Sequence, residues 1–150
     1  MLTASHDGYA NDFDIIHHRM LQLSPDGCAL DGEDSFTPAA GAALPVGVGD
    51  EFAISFHLHP SIKANRLSDG RGVILLLPDR ELWTFNSYGD AVAIEESVFL
   101  SGLDGPRRTV QIVIYGHARS QAKVRWSFRH TPPAPPGTRP ERADEPELPL

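Results

Sequence analysis

Only one of the 150 residues is cysteine, and that single thiol, Cys28, excludes an internal disulfide framework. It does not constrain the compartment. Cys28 sits in Asp26-Gly27-Cys28, a turn-like context, and reads as a structural bystander. No apolar run approaches the roughly 20 residues of a membrane-spanning helix. The opening Met1-Leu2-Thr3-Ala4-Ser5 lacks the basic-then-apolar pattern of a secretory signal. No segment of helical length shows a 3.6-residue apolar period. Positive charge is scarce: 13 Lys and Arg against 20 Asp and Glu give a formal net charge of −7. That balance argues against general binding to nucleic acid or an anionic membrane, and leaves room for a local basic cleft.

What is present is enough for one domain with a real core and little room for a second, since 41% of residues are hydrophobic and 22% charged. The dominant pattern is a period of two. In Phe52–Pro60, Phe52, Ile54, Phe56 and Leu58 fall on one side, and Ala53, Ser55, His57 and His59 on the other. That is a strand with one face on an apolar core, ended by a proline that has no N–H for the ladder. Similar short segments recur at roughly ten-residue spacing: 13–23, 29–36, 62–67, 73–77, 82–86, 91–100, 107–115 and 123–129. Turn chemistry separates them, as in Ser24-Pro25-Asp26-Gly27 and Ser68-Asp69-Gly70. The run 73–77 is apolar throughout and reads as a strand buried on both faces. The glycine- and proline-rich segment 37–51 reads as a mobile loop. The pattern predicts an all-β fold, an antiparallel β-sandwich of eight or nine short strands over residues 1–130.

Residues 131–150 are different. Seven of the chain's 13 prolines fall there, with acidic groups and little aliphatic bulk. Such a composition buries too little apolar surface to offset its ordering entropy, so a disordered tail is expected.

Several short motifs come in one order: Ser5-His6-Asp7-Gly8-Tyr9, Ile16-His17, Leu30-Asp31-Gly32-Glu33-Asp34, Phe56-His57-Leu58-His59-Pro60, Glu95-Glu96-Ser97 and Pro106-Arg107-Arg108-Thr109-Val110-Gln111-Ile112. In order and spacing they resemble the C-terminal part of heparinase II/III-like proteins over about residues 3–130. The resemblance implies a β-sandwich that, with an α/α-toroid, forms a cleft for an acidic polysaccharide. The implied chemistry is β-elimination, in which a base removes the proton α to a uronate carboxylate and the glycosidic oxygen leaves. Tyrosine and histidine usually carry the proton transfers, and a zinc ion often sits in the sandwich. The toroid is not in these 150 residues, and the first part of the sandwich is expected to be missing too. The chain alone is therefore expected to be inactive, the last portion of a lyase. The alternative is a stand-alone sandwich that binds carbohydrate or a protein partner without chemistry. An upstream reading frame in phase with Met1, encoding helices, would separate the two.

The candidate residues follow. His6 and Tyr9 fall on a family-like motif and are candidates to touch sugar, or else fix a turn. Arg107 and Arg108, with Lys123, Arg125 and Arg129, would form a basic strip for an anionic glycan, or else a solvated sheet face. His57 and His59 lie at i and i+2 on one strand face, a spacing that suits two zinc ligands, with hydrogen bonding on a polar face as the alternative. His17 and His18 point to opposite sides of one strand and are assigned no role. Glu95 and Glu96 also face opposite ways, which excludes a paired-carboxylate acid/base device. Trp83 and Trp126 read as core. A sandwich lacking strands would expose sheet edges, so self-association is expected. Compartment stays open, periplasmic or cytoplasmic.

Overall fold

A computed structural model describes residues 1–41, 49–101, 105–118 and 120–132. It contains two antiparallel sheets. The elements are β1 (Leu2–His6), α1 (Ala10–Phe13), β2 (Ile15–Leu23), β3 (Ala29–Pro38), β4 (Glu51–His57), β5 (Lys63–Arg66), β6 (Gly72–Leu76), β7 (Leu82–Ser87), β8 (Val92–Ser101), β9 (Gly105–His117) and β10 (Lys123–Thr131). The larger sheet has the order β1-β2-β3-β10-β7-β6-β5 and the smaller one β4-β9-β8.

The all-β sandwich is as expected, with ten strands among the described residues instead of eight or nine. The extra strand is Leu2–His6, which pairs with β2 from Leu2↔Leu21 to His6↔His17. Every residue of β1 is exposed, so no apolar alternation marks it in the sequence. The single-turn helix α1 is also an addition. Asp14 ends it in the left-handed region at φ 55°, a conformation aspartate tolerates. The Asp14 carbonyl and carboxylate then accept the amides of Ala39 and Ala40, tying the start of β2 to the end of β3.

The core lies between the sheets. Val73, Phe85, Ile112 and Ile114 are wholly buried, and Val124 and Trp126 nearly so. Phe52, Ile54, Phe56 and Leu58 face this core as the alternation predicts. Phe52 stacks on Phe36 of β3 at 4.6 Å, and Phe56 meets Trp126 of β10 at 4.7 Å and Phe85 of β7 at 5.0 Å between ring centroids. β4 thus runs across β3 and β10 and on to β7. It is an edge strand of the smaller sheet, not a central one.

Two further expectations change. The run 73–77 is not buried on both faces: Val73 and Leu75 are in the core, while Ile74 is 36% exposed because the outer face of the larger sheet meets solvent. Trp126 is a core residue as expected, whereas Trp83 is half-buried and packs on the core's margin beside His130. Pro25–Gly27 and Pro78–Arg80 do form the turns of hairpins β2–β3 and β6–β7. Of the loop expected over 37–51, residues 42–48 lie outside the described residues, as does the tail from 133 onward.

Candidate functional site

The inner face of the larger sheet carries polar residues where a sandwich core is normally apolar. Cross-strand pairing places His17 opposite Phe36, Arg19 opposite Asp34 and Asp34 opposite Val124, all pointing inward. Asp34 is completely buried. Its Oδ1 accepts from Arg19 Nε at 2.7 Å and lies 2.6 Å from His17 Nε2. Its Oδ2 accepts from Trp126 Nε1 at 2.7 Å. A buried carboxylate is costly unless its lone pairs are met, and here both oxygens have charge-assisted or indole partners. Gly32 makes this possible, because a Cβ there would stand 2.2 Å from the Trp126 ring. The Arg19 guanidinium carbon in turn sits 5.8 Å from the centroid of that ring.

Beside this cluster lies a cavity of about 390 Å³. Ile15, His17, Arg19 and Phe36 form one wall, and the edge of β4 from Glu51 to Ser55 forms the other. His17, Phe36 and Phe52 make a stacked ladder of rings along its floor, with centroid spacings of 5.4 and 4.6 Å. Tyr9 and Phe13, half-exposed, stand at its mouth.

The structure brings His6 and Tyr9 together, with ring centroids 5.5 Å apart and edge to face. His6 Nδ1 accepts the Gly8 amide at 3.3 Å, which leaves the proton of a neutral ring on Nε2. A Cβ at position 8 would lie 2.3 Å from the imidazole, so any larger residue there would displace the His6 ring from this position. Tyr9 lines the cavity and His6 stands outside it.

The other sequence candidates lie elsewhere. Arg107 and Arg108 are exposed near the start of β9, eleven and ten residues from Ala118 at the cavity, or about 35 Å along an extended strand. They are therefore remote from the cavity that Tyr9 lines. His57 and His59 face outward from the smaller sheet. His57 Nδ1 is 2.8 Å from Ser97 Oγ, and His59 Nδ1 is 2.6 Å from Ser61 Oγ. Among the described residues no group of three or more His, Cys, Asp or Glu is placed to hold a metal ion. A zinc ion at His57 and His59 would take its remaining ligands from outside the described residues.

Lys123 and Arg125 both bind Glu33, at 3.1 and 2.9 Å, and Arg129 binds Asp31 at 2.5 Å. All three cations are thus engaged by carboxylates on the outer face, and Arg125 chiefly, with Lys123, holds the Glu33 carboxyl below its ordinary range. Glu95 and Glu96 do face opposite ways. Glu95 accepts from the Tyr115 hydroxyl at 2.5 Å, and this bond raises the phenol above its ordinary value.

His17 and His18 point to opposite sides as expected, His18 toward Thr37 and His17 toward Asp34. What sequence reasoning missed is that His17, Arg19 and Asp34 meet. The signal was an aspartate at i+2 from Gly32 and i−2 from Phe36, on the core side of its strand.

Comparison with known proteins agrees with this architecture. The family described as "Heparinase II/III-like, C-terminal" matches residues 1–127. "FtsZ-localized protein C" of Caulobacter vibrioides is 35% identical over 131 residues, which cover 82% of this chain and 22% of that protein. The chain thus spans about a fifth of the length of this relative. No solved structure matches significantly.

Proposed function

The chain belongs to the heparinase II/III-like family, as its C-terminal domain, and from that we propose that it is a recognition module without lyase chemistry of its own. In a longer protein of this kind it would form one wall of a cleft for an acidic polysaccharide, and the catalytic groups would come from elsewhere.

One observation carries this reading. The guanidinium of the cavity, Arg19, and its imidazole, His17, already share the buried carboxylate of Asp34. β-Elimination needs a group that neutralises the uronate carboxylate, a base at the α-proton and an acid at the leaving oxygen, gathered around one sugar. Here the charge of Arg19 is balanced by Asp34, and His6, beside Tyr9, stands outside the cavity with its Nδ1 occupied. Glycan contact is assigned to two separate places, His6 and Tyr9 beside the cavity and Arg107 and Arg108 near the start of β9, which one extended polysaccharide would bridge. The two arginines are exposed and make no ion pair with another described residue. The imidazoles at 57 and 59 would be two of the four ligands a structural zinc takes, and among the described residues no group of three or more such side chains forms.

A second reading is a sandwich that binds a protein partner. The name of the relative, "FtsZ-localized protein C", favours it. Electrophoretic retardation by heparin, chondroitin and alginate, set beside co-sedimentation with purified FtsZ, separates the two. Retardation that is lost on replacing Arg107 and Arg108 with alanine supports polysaccharide recognition. Binding to FtsZ alone supports the second reading, and binding to neither contradicts a recognition role.

A further inference from the structure

The two sheets are unequal, seven strands against three, and the mismatch is concentrated on one side. β4 packs over β3, so β2 and β1 extend beyond it with their inner faces uncovered. Leu2, on the inner face of β1, is 63% exposed, and Tyr9 and Phe13 are 49% and 45% exposed at the cavity mouth. The cavity is the space between this overhang and the edge of β4.

That edge has a defined hydrogen-bonding parity. The Ala118 amide donates to the Asp50 carbonyl at 2.7 Å, and the Leu58 amide donates to the Val110 carbonyl at 3.0 Å. Backbone groups alternate along an antiparallel strand, so Phe52, Ile54 and Phe56 are also directed at β9. Glu51, Ala53, Ser55 and His57 therefore turn their N–H and C=O groups to the other side. No strand among the described residues pairs there.

We propose that the β4 edge and the adjoining cavity form an acceptor groove for an extended strand, supplied by the remainder of a longer polypeptide that carries this domain. Addition of a strand to an open edge gives main-chain hydrogen bonds, and side-chain pockets give its specificity. The seven residues of β4 set the length of the pairing. Alternate side chains of the added strand would be apolar, covering Phe36, Phe52 and the ring of Tyr9. One would present an acceptor to Arg19, whose Nε is held by Asp34 while its Nη groups bond no other described residue.

A second copy does not fit the groove. Pairing β4 with β4 of another molecule would bring both overhangs, each two strands or roughly 10 Å wide, into the same layer, where they collide. A single chain segment has no such overhang. The Caulobacter relative has polypeptide of that kind beside its matched stretch, which is 22% of its length. The inference does not depend on which ligand the domain recognises.

The test uses overlapping peptides covering the parts of the Caulobacter relative outside the matched stretch, titrated into isotope-labelled chain. A peptide with alternating apolar residues is expected to bind and to slow amide exchange at Ala53, Ser55 and His57. Ser55→Pro removes one outward N–H and none directed at β9, and is expected to weaken that binding by about tenfold or more. Phe13→Ser, away from the ladder, tests the same groove where the proline variant does not fold. Absence of binding by every peptide overturns the proposal, as does binding that leaves those amides unchanged. Sedimentation showing a dimer that Ser55→Pro dissolves would seat a second copy in the groove and also overturn it.

Discussion

Trp126 donates its indole N–H to Asp34 at 2.7 Å, joining β10 to β3 through a carboxylate that water does not reach. The bond is possible only because Gly32, the cross-strand neighbour of Trp126, has no Cβ. Arg19 and His17 complete the cluster from β2. Three strands are thus pinned by one acidic side chain.

Removing that acceptor strands three donors. Asp34→Ala is expected to lower stability by about 3–5 kcal/mol, the range for breaking a buried ion pair. Trp126→Phe removes one bond and keeps much of the ring, and should cost about 1–3 kcal/mol. Urea denaturation followed by far-ultraviolet circular dichroism measures both. Equal effects from the two variants would show that the cluster does not act through Asp34.

Glu33 provides a pH dependence of known sign. Hydrogen bonds from Arg125 and then Lys123 depress its carboxyl in the folded state. Its contribution is therefore present above the ordinary glutamate range and lost as pH falls through the folded value. The partners are exposed, so the contribution is small, about 0.5 kcal/mol. The difference in urea midpoint between wild type and Glu33→Gln should shrink on moving from about pH 7 to about pH 3. A difference that grows in acid would reverse the assignment.

Tyr115 gives a spectroscopic signal. Its hydroxyl donates to Glu95, which raises the phenol above its ordinary value. Of the three tyrosines, Tyr115 should be shifted to higher pH in an ultraviolet phenolate titration, and Glu95→Gln should lower its midpoint. An unchanged titration would mean that the bond does not persist in solution.

How much of this was legible in the sequence depends on range. The alternation of Phe52, Ile54, Phe56 and Leu58 is local, and it placed those side chains on the core correctly. The facing of His17 against His18, and of Glu95 against Glu96, follows from the same period of two. Strand order is not local. β3 pairs with β10 across some ninety residues, and no short-range pattern shows that β4 stands at an edge. The Asp34 cluster was hidden for the same reason, since its members come from three strands. β1 was hidden because an uncovered strand has no buried face to mark.

The most direct measurement is the rise in ultraviolet absorbance of unsaturated uronate, recorded with the purified chain on heparin, heparan, chondroitin and alginate. A recognition module whose cavity guanidinium is balanced by Asp34 should give a flat trace on all four. A rise that disappears on replacing Tyr9 or His6 would contradict that, and would place a catalytic centre at the mouth of the cavity.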